Sequence, residues 1–189
     1  MNIQLIISFS SMFFWIFPAA RQYKTQLFWY FLVLALMDPL SIIIHSATHY
    51  PYTTSLFTSI LLYAVLYSEV KTGTLKYLLA LVITIMLISL FNLVPFGMIF
   101  RIICNLIIIF FFFKRTLLFV ADTGKLNVFH LFLLIEEISL VLKLVIVVYR
   151  VDAGDILFHI TTAFQLLIAV FFSLYREDDK RLLINLRKI

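Results

Sequence analysis

The chain has 189 residues, of which 63% are hydrophobic and 13% are charged, and it carries a formal net charge of +5. A water-soluble domain of this size cannot bury that much apolar surface, so the composition indicates an integral membrane protein. Because one helix needs about 20 apolar residues to cross the hydrocarbon core, seven spans and their turns occupy nearly the whole chain. This excludes a kinase, nuclease or nucleotide-binding domain within it.

Seven apolar runs separated by short polar turns predict one all-α domain over residues 1–175, a polytopic bundle of seven transmembrane helices. The predicted spans cover residues 3–20, 27–46, 53–69, 76–94, 97–113, 127–149 and 156–175. The fourth and fifth spans are separated at Asn92 to Gly97, where we predict a tight hairpin, because the whole stretch is too long for one span. The charged tail, residues 176–189, is predicted to form a short basic amphipathic helix.

The first span has some features of a secretory signal peptide. Its end, Pro18-Ala19-Ala20, is loosely similar to a small-residue cleavage site. However, Met1 to Gln4 contains no Lys or Arg, and a signal peptide starts with positive charge. We therefore expect these residues to be the first transmembrane helix.

The distribution of Lys and Arg predicts the orientation of the bundle. With the N-terminus outside, 12 of the 15 basic residues fall in cytoplasmic turns or in the tail. Short basic loops stay on the cytoplasmic side, so the N-terminus is expected outside and the C-terminus inside. The high pI of about 9.4 fits this orientation, because basic residues on the cytoplasmic side are attracted to anionic lipid of the inner leaflet. A nucleic-acid partner is not expected.

Polar and ionisable side chains cluster in the outer halves of four predicted spans, where such groups are costly and often functional. The candidates for a ligand or ion cavity are Asp38, Ser41 and His45 of the second span, Arg101 and Asn105 of the fifth, Glu136 and Lys143 of the sixth, and His159 of the seventh. Asp38 and His45 of the second span are seven residues apart, and so are Glu136 and Lys143 of the sixth, which places each pair on one helix face. The pattern predicts a polar cavity open to the outside, with Glu136 near its floor and Lys143 paired with Glu136 or Asp38.

Three interpretations of these buried charges remain open. They can tie helices together, bind a ligand, or handle protons or other ions. His130 and Glu137 share a second face of the sixth span, where helix contacts are the expected role. Pro39, which follows Asp38, removes a backbone donor and predicts a kink in the second span.

Metal chemistry has limited support in the sequence. His45 and His49 form an H-x-x-x-H pair that His159 could complete as a zinc site. Ser41 to His45 matches the S-x-x-x-H element of the seven-helix zinc hydrolases, which include alkaline ceramidases and adiponectin-type receptors. That family carries an H-x-x-x-H pair late in the chain, but here Ala163 stands four residues after His159. We therefore predict no metal or other cofactor and favour a protein that is not an enzyme, and a zinc-dependent intramembrane hydrolase is the third function class that the sequence leaves open.

The sequence supports two function classes almost equally. In the first, the chain is a receptor-like sensor or an accessory subunit of a membrane complex, and a protein partner or a second copy is expected. Its tail then contacts the membrane surface or that partner through Arg176, Lys180, Arg181, Arg187 and Lys188. In the second class, Asp38, Glu136 and Lys143 carry a small solute or an ion. A transporter is less favoured because Pro39 alone interrupts a span, with no counterpart in a second half.

The overall scheme resembles the small stand-alone seven-helix membrane proteins of unknown function found in Bacteroidota. The likeness rests on a basic turn after a Pro-containing first span (Phe17 to Lys24), on Asp38, and on a seventh span that starts near His159 and ends in Phe171 to Arg176. The resemblance implies a seven-helix fold in the inner membrane of a bacterium. It implies no activity and no catalytic residues.

Overall fold

A computed structural model of the protein describes residue 10 and residues 12–48, 53–69, 94–149 and 154–186. Within these residues the chain forms six α-helices: α1 (Ile16–Arg21), α2 (Phe28–Thr48), α3 (Thr53–Glu69), α4 (Val94–Thr123), α5 (Val128–Tyr149) and α6 (Gly154–Leu174). Two short strands, β1 (Lys125–Asn127) and β2 (Leu183–Asn185), pair antiparallel, and a 3-10 turn at Lys180–Leu182 precedes β2. The chain is therefore mainly α-helical, as predicted, with one small sheet added.

Four predicted spans agree with helices to within two residues at each end. They correspond to α2, α3, α5 and α6. The predicted fourth span lies outside the described residues except for Val94, and so do most of the first ten residues of the predicted first span.

Helix α4 continues for ten residues past Phe113, where the predicted fifth membrane span ends. Lys114 and Arg115 mark a change from apolar to polar surroundings, which does not have to coincide with the end of a helix. The helix ends at Gly124, whose φ of 66° and N–H bond to the Val120 carbonyl form a left-handed C-terminal cap. At the other end Pro95 lies in the first helical turn, where its missing N–H is tolerated.

The described helices form a closed ring. Each helix packs against the next one in the sequence, and α6 returns to pack against α1. At one end of this ring α1, α4 and α6 finish and α2 and α5 begin. We call it the tail end. The chain after α6 and the β1–β2 pair lie there, since β1 joins α4 to α5.

A layer of aromatic side chains fills the ring near the tail end. Its members are fully buried and come from four helices: Tyr30 and Phe31 of α2, Phe112 of α4, Phe129 of α5 and Phe172 of α6. The centroid of the Phe172 side-chain ring lies 4.9 Å from that of Phe31 and 4.9 Å from that of Phe129. The aromatic centroids of Tyr30 and Phe112 are 5.2 Å apart. We refer to these five side chains as the aromatic layer.

The polarity of the ring is inverted relative to that of a soluble domain. Among the side chains of α5 and α6 that the structure describes, all the exposed ones are apolar, for example Ile138, Ile160 and Leu167. The described polar side chains of these helices are buried, as Glu136 and Gln165 are, or half-buried, as Lys143 and His159 are. A soluble protein rarely exposes such continuous apolar surface.

One helix of the described chain, Ile99–Thr123, is long and apolar enough to cross a membrane. In its most apolar stretch of 18 residues, 28% of the residues are buried. Its exposed positions from Ile99 to Phe113 are all Ile, Leu or Phe. Three shorter apolar stretches are found at Phe28–Ile44, Phe57–Leu66 and His159–Leu174.

The tail does not form the predicted amphipathic helix between residues 180 and 185. The Asp179 carboxylate accepts the N–H of Arg181 and starts the 3-10 turn, after which the chain is extended. In β2, Ile184 pairs with Leu126, and the Leu186 N–H donates to the Gly124 carbonyl over 3.1 Å. The tail therefore closes on the connection between α4 and α5, where strand pairing provides partners for its backbone groups.

Candidate functional site

A cavity of about 470 Å³ lies inside the ring, from its middle toward the end opposite the tail. We call it the polar cavity. Each described helix except the short α1 contributes to its wall, and Met12 and Trp15 close it just before α1. The polar side chains that line it are Asp38, Thr58, Arg101, Asn105, Glu136, Lys143, Thr162 and Gln165. Four elements of one bundle thus direct ionisable or amide groups toward the same space.

Helix α5 supplies the two charged groups that are seven residues apart. Glu136 and Lys143 are two helical turns apart on one face, as their spacing predicts. Between them the Ser139 hydroxyl donates to the Glu136 backbone carbonyl over 2.7 Å. The stripe is therefore built by helical periodicity within a single element.

Helix α6 faces this stripe with an amide. The Lys143 ammonium donates to Gln165 Oε1 over 3.2 Å, and Gln165 Nε2 donates to the Ser139 hydroxyl over 3.2 Å. The Lys143 charge also acts electrostatically on the carboxylates of Asp38 and Glu136. We predicted that Lys143 pairs with Asp38 or Glu136. The structure adds the amide of Gln165 as a hydrogen-bond partner.

On the other side of the cavity, Asp38 of α2 lies within electrostatic reach of two cations. They are Lys143 of α5 and Arg101 of α4. Helix α2 continues through Pro39, which follows Asp38 directly. A carboxylate between two cations from different helices is held in the bundle by charge as well as by packing.

Several polar atoms of the cavity wall are buried without a hydrogen-bond partner in the described part of the chain. They are Arg101 Nε, Asn105 Oδ1 and Glu136 Oε2. Leaving a buried polar atom unpaired costs about 1–3 kcal/mol. These donors and acceptors are therefore available to a polar molecule in the cavity, which would recover part of that cost.

The other predicted cavity residues are placed differently. Ser41 is buried on α2 but does not line the polar cavity, and His159 is half-buried on α6 and does not line it either. The side chain of His45 and the whole of His49 lie outside the described residues. Among the side chains that the structure describes, no group of three His, Cys, Asp or Glu is placed to share a metal ion.

Sequence reasoning missed Gln165 and Thr58 as parts of this wall. Gln165 is 4% exposed and bonds to both Lys143 and Ser139. Its position, 22 residues after Lys143 on the next helix, carries no periodic signal. A search for every buried amide, in addition to charges, would have found it.

A second cavity, of about 590 Å³, lies at the tail end, and we call it the tail-end cavity. It is lined by side chains of the α1–α2 turn, the second half of α4, β1, the start of α5 and the chain after α6: Lys24, Thr25, Gln26, Arg115, Phe119, Asp122, Asn127, His130, Arg176, Glu177 and Asp178. Three of these residues are Lys or Arg and three are Asp or Glu, so the wall is close to neutral.

Buried side chains fix the backbone around the tail-end cavity. Gln22 is fully buried; its amide donates to the Tyr175 carbonyl over 2.7 Å and accepts the N–H of Glu177. The Glu177 carboxylate forms an ion pair with Arg115 of α4. The chain after α6 is thus attached to α1 and α4 before it reaches β2.

The cationic residues predicted to contact a membrane surface or a partner are dispersed. Arg176 lines the tail-end cavity, and Lys180 and Arg181 are exposed in the 3-10 turn. The Arg181 guanidinium donates to Asp179 and lowers the pKa of that carboxyl to about 2. Arg187 and Lys188 lie outside the described residues.

Comparison of this chain with protein-family models, with curated proteins and with solved structures found no match.

Proposed function

We propose that the chain is a multi-pass membrane protein whose polar cavity binds a small charged or zwitterionic solute. In this proposal it acts as a receptor-like sensor or an accessory subunit, with the N-terminus outside and the C-terminus in the cytoplasm of a bacterium. The observation that carries the proposal is the polar cavity itself, because charged side chains of α2, α4 and α5 meet in a ring whose exterior is apolar.

The helix lengths support the multi-pass arrangement. Helices α2, α5 and α6 contain 21, 22 and 21 residues. At 1.5 Å per residue each is about 32 Å long, close to the thickness of the hydrocarbon core of about 30 Å. Together with the exposed apolar side chains, these lengths favour several crossings, with the predicted seven as the full count.

The chemistry of the cavity wall favours a ligand with charges of both signs. Two carboxylates, Asp38 and Glu136, and two cations, Arg101 and Lys143, line the same space. An ammonium group and a carboxylate on one small molecule complement such a wall, and neither then enters a low-dielectric site without an opposite charge.

A thermal-shift screen of the purified protein in lipid nanodiscs tests the proposal, with amino acids and other small zwitterions as probes. We expect at least one probe to raise the unfolding temperature, and we expect Asp38→Asn, Glu136→Gln and Lys143→Met to reduce that shift. Asp178→Asn and Lys180→Met, which remove exposed charges outside the polar cavity, are the matched controls. If all five variants respond as the wild type does, the polar cavity is not the binding site.

Transport is the second candidate, and the presence of a second cavity at the opposite end of the ring favours it. Proteoliposomes loaded with the radiolabelled probe that gives the thermal shift distinguish the two functions. A sensor binds the probe without net flux, whereas a transporter equilibrates it across the vesicle membrane.

A further inference from the structure

The charged side chains of the polar cavity lie at two levels along the ring. On α5, Lys143 is seven residues further from the tail end than Glu136, a rise of about 10 Å. On α2, the Tyr30 hydroxyl donates to Glu137 Oε1 over 2.6 Å and so marks the level of the two glutamates. Asp38 is eight residues, or about 12 Å, further along α2. Asp38 and Lys143 therefore share an upper level, and Glu136 lies at the floor.

Among the described residues, the upper level has one more positive than negative charge. Asp38 lies within electrostatic reach of both Lys143 and Arg101, so two cations share one carboxylate. The Lys143 ammonium donates to Gln165, whose amide is held in turn by Ser139. Arg101 Nε, by contrast, is a buried donor without a hydrogen-bond partner in the described part of the chain. The upper level can thus accept a further anion at Arg101.

The floor has the opposite balance of charge. Glu136 is 1% exposed, and its Oε2 is a buried acceptor with no hydrogen-bond partner among the residues described. The adjacent Glu137 carboxyl acts electrostatically on Glu136 with the same sign, while Lys143 acts on it from the upper level. A buried carboxylate in such surroundings favours a positively charged hydrogen-bond donor.

Apolar side chains line the wall between the two levels. Leu34 lies halfway between Tyr30 and Asp38 on α2, and Leu140 lies about one turn after Glu136 on α5. Both leucines line the polar cavity. Methylene groups bind favourably against such a wall, because their apolar surface leaves water.

The distance between the two levels is too long for the shortest zwitterions. A charge-assisted hydrogen bond spans about 2.8 Å at each end of a bound solute. Of the roughly 10 Å between Glu136 and the upper level, about 4–5 Å is then left for the solute, and a lateral offset of Arg101 increases this length. An α-amino acid places its nitrogen only about 3 Å from its carboxylate oxygens, whereas a chain of about three to five methylene groups covers the distance.

From this arrangement we propose that the polar cavity selects an ω-amino acid with about three to five methylene groups between its charges. The ammonium binds Glu136 at the floor, the carboxylate binds Arg101 at the upper level, and the methylene groups pass Leu34 and Leu140. The inference rests on the proposed function, since it requires that a small charged solute binds in this cavity. It makes Glu136 and Arg101 the residues that determine which solutes bind.

Thermal shifts of the full chain in lipid nanodiscs test this selection. The probes are 4-aminobutyrate, 6-aminohexanoate and glycine, together with the amide of each ω-amino acid, which lacks the carboxylate charge, and the corresponding hydroxy acid, which lacks the ammonium. The concentration that gives half of the maximal shift measures affinity. We expect the better ω-amino acid to bind at least about ten times more tightly than glycine and than its own two analogues, because each of these loses a charge-assisted hydrogen bond.

Two variants assign the ends of the solute. Arg101→Gln should bind the ω-amino acid no more tightly than its amide, because the carboxylate has lost its cation. Glu136→Gln should bind it no more tightly than the hydroxy acid, because the ammonium has lost its carboxylate. Arg21→Gln, which removes the same charge as Arg101→Gln from an exposed side chain of α1, is the matched control and should show the wild-type preferences.

The inference is wrong if glycine binds as tightly as both ω-amino acids, or if Arg101→Gln keeps the wild-type preference for the ω-amino acid over its amide. If Glu136→Gln does not fold, as judged by size-exclusion chromatography, Arg101→Gln decides alone. Failure of the proposed function looks different, because then no zwitterion of any length gives a thermal shift that depends on the polar cavity. That result overturns the inference as well, whereas a shift with α-amino acids alone overturns the inference and leaves the proposed function standing.

Discussion

At the scale of single residues, Gln22 shows how a neutral side chain can hold two parts of the chain together. Its carboxamide donates to the carbonyls of Phe172 and Tyr175 and accepts from the N–H of Glu177. We expect Gln22→Ala to lower the free energy of unfolding by about 2–4 kcal/mol, because buried backbone groups lose their partner. Chemical unfolding in detergent micelles measures this loss.

Gln26→Ala is the matched control for that experiment. Gln26 is exposed and accepts a hydrogen bond from Arg115. Its removal should change the free energy of unfolding by less than about 0.5 kcal/mol. Equal losses in the two variants would mean that the contacts of Gln22 do not stabilise the fold.

The aromatic layer makes a second prediction at this scale. Phe172 is fully buried between Phe31 and Phe129. We expect Phe172→Ala to cost about 3–5 kcal/mol of unfolding free energy, because the cavity that it leaves is lined by rigid rings. Phe110→Ala, which shortens a side chain that is 61% exposed, should cost far less. Similar losses would show that the layer is not the packed centre of the bundle.

Sequence reasoning found the charged residues of the polar cavity better than the neutral ones. Asp38, Arg101 and Lys143 stand out because a charge inside an apolar run is costly wherever the helix lies. Gln165 and Gln22 carry no such signal, because an amide is common both in loops and in helices. Their roles depend on which helices become neighbours, and periodicity within one helix does not contain that information.

At the scale of elements, the pairing of β1 with β2 attaches the tail to the segment between α4 and α5. We expect Leu186→Pro to weaken this connection, because proline lacks the N–H that donates to the Gly124 carbonyl. Trypsin should then cut after Lys125 faster than in the wild type, since Lys125 lies in β1. Limited proteolysis of the detergent-solubilised protein measures the rate.

Leu186→Val is the control, because it shortens the side chain and keeps the N–H. It should leave the rate of cleavage at Lys125 unchanged. A cleavage rate that rises equally in both variants would indicate that the side chain, and not the strand hydrogen bond, holds the tail.

The boundaries of the elements were predictable where hydropathy and backbone signals coincide. Span 53–69 agrees with α3 at both ends. For α4 the two signals differ, because the charged pair Lys114 and Arg115 follows Phe113 directly, whereas the helix-ending glycine comes at residue 124. The tail failed for a different reason: its short apolar run from Leu182 to Ile184 suits a strand as well as a helix, and the partner strand is almost 60 residues away.

At the scale of the whole molecule, the apolar exterior makes a prediction that separates a membrane environment from an aqueous one. Ile138 is 53% exposed near the middle of α5. In a bilayer, Ile138→Arg should cost about 2–4 kcal/mol and reduce the amount of protein inserted into the membrane. In water the same change would be close to neutral.

Membrane fractionation followed by immunoblotting measures the inserted amount. Ile138→Leu is the matched control and should insert as the wild type does, because both side chains are apolar. Equal insertion of the arginine and leucine variants would place this face of α5 away from lipid.

Composition and hydropathy were sufficient to predict a mainly helical chain with buried polar groups. They were not sufficient to predict the closure of the ring by α6 on α1, because contacts between distant elements leave no periodic trace. The assembly of the aromatic layer has the same origin, since Tyr30, Phe112 and Phe172 are far apart in the sequence.

The central claim is that the ring crosses a membrane with its tail end in the cytoplasm. Cysteine labelling tests it most directly, because Cys104 is the one cysteine in the chain and Cys104→Ala gives a background without thiols. Lys125→Cys at the tail end and Ile156→Cys at the opposite end are then exposed single-cysteine positions. Each variant is treated, in sealed right-side-out vesicles, with a maleimide that cannot cross membranes.

We expect Ile156→Cys to be labelled in intact vesicles and Lys125→Cys to be labelled only after the vesicles are permeabilised. Labelling of both positions in intact vesicles would contradict a bundle that crosses the membrane between them.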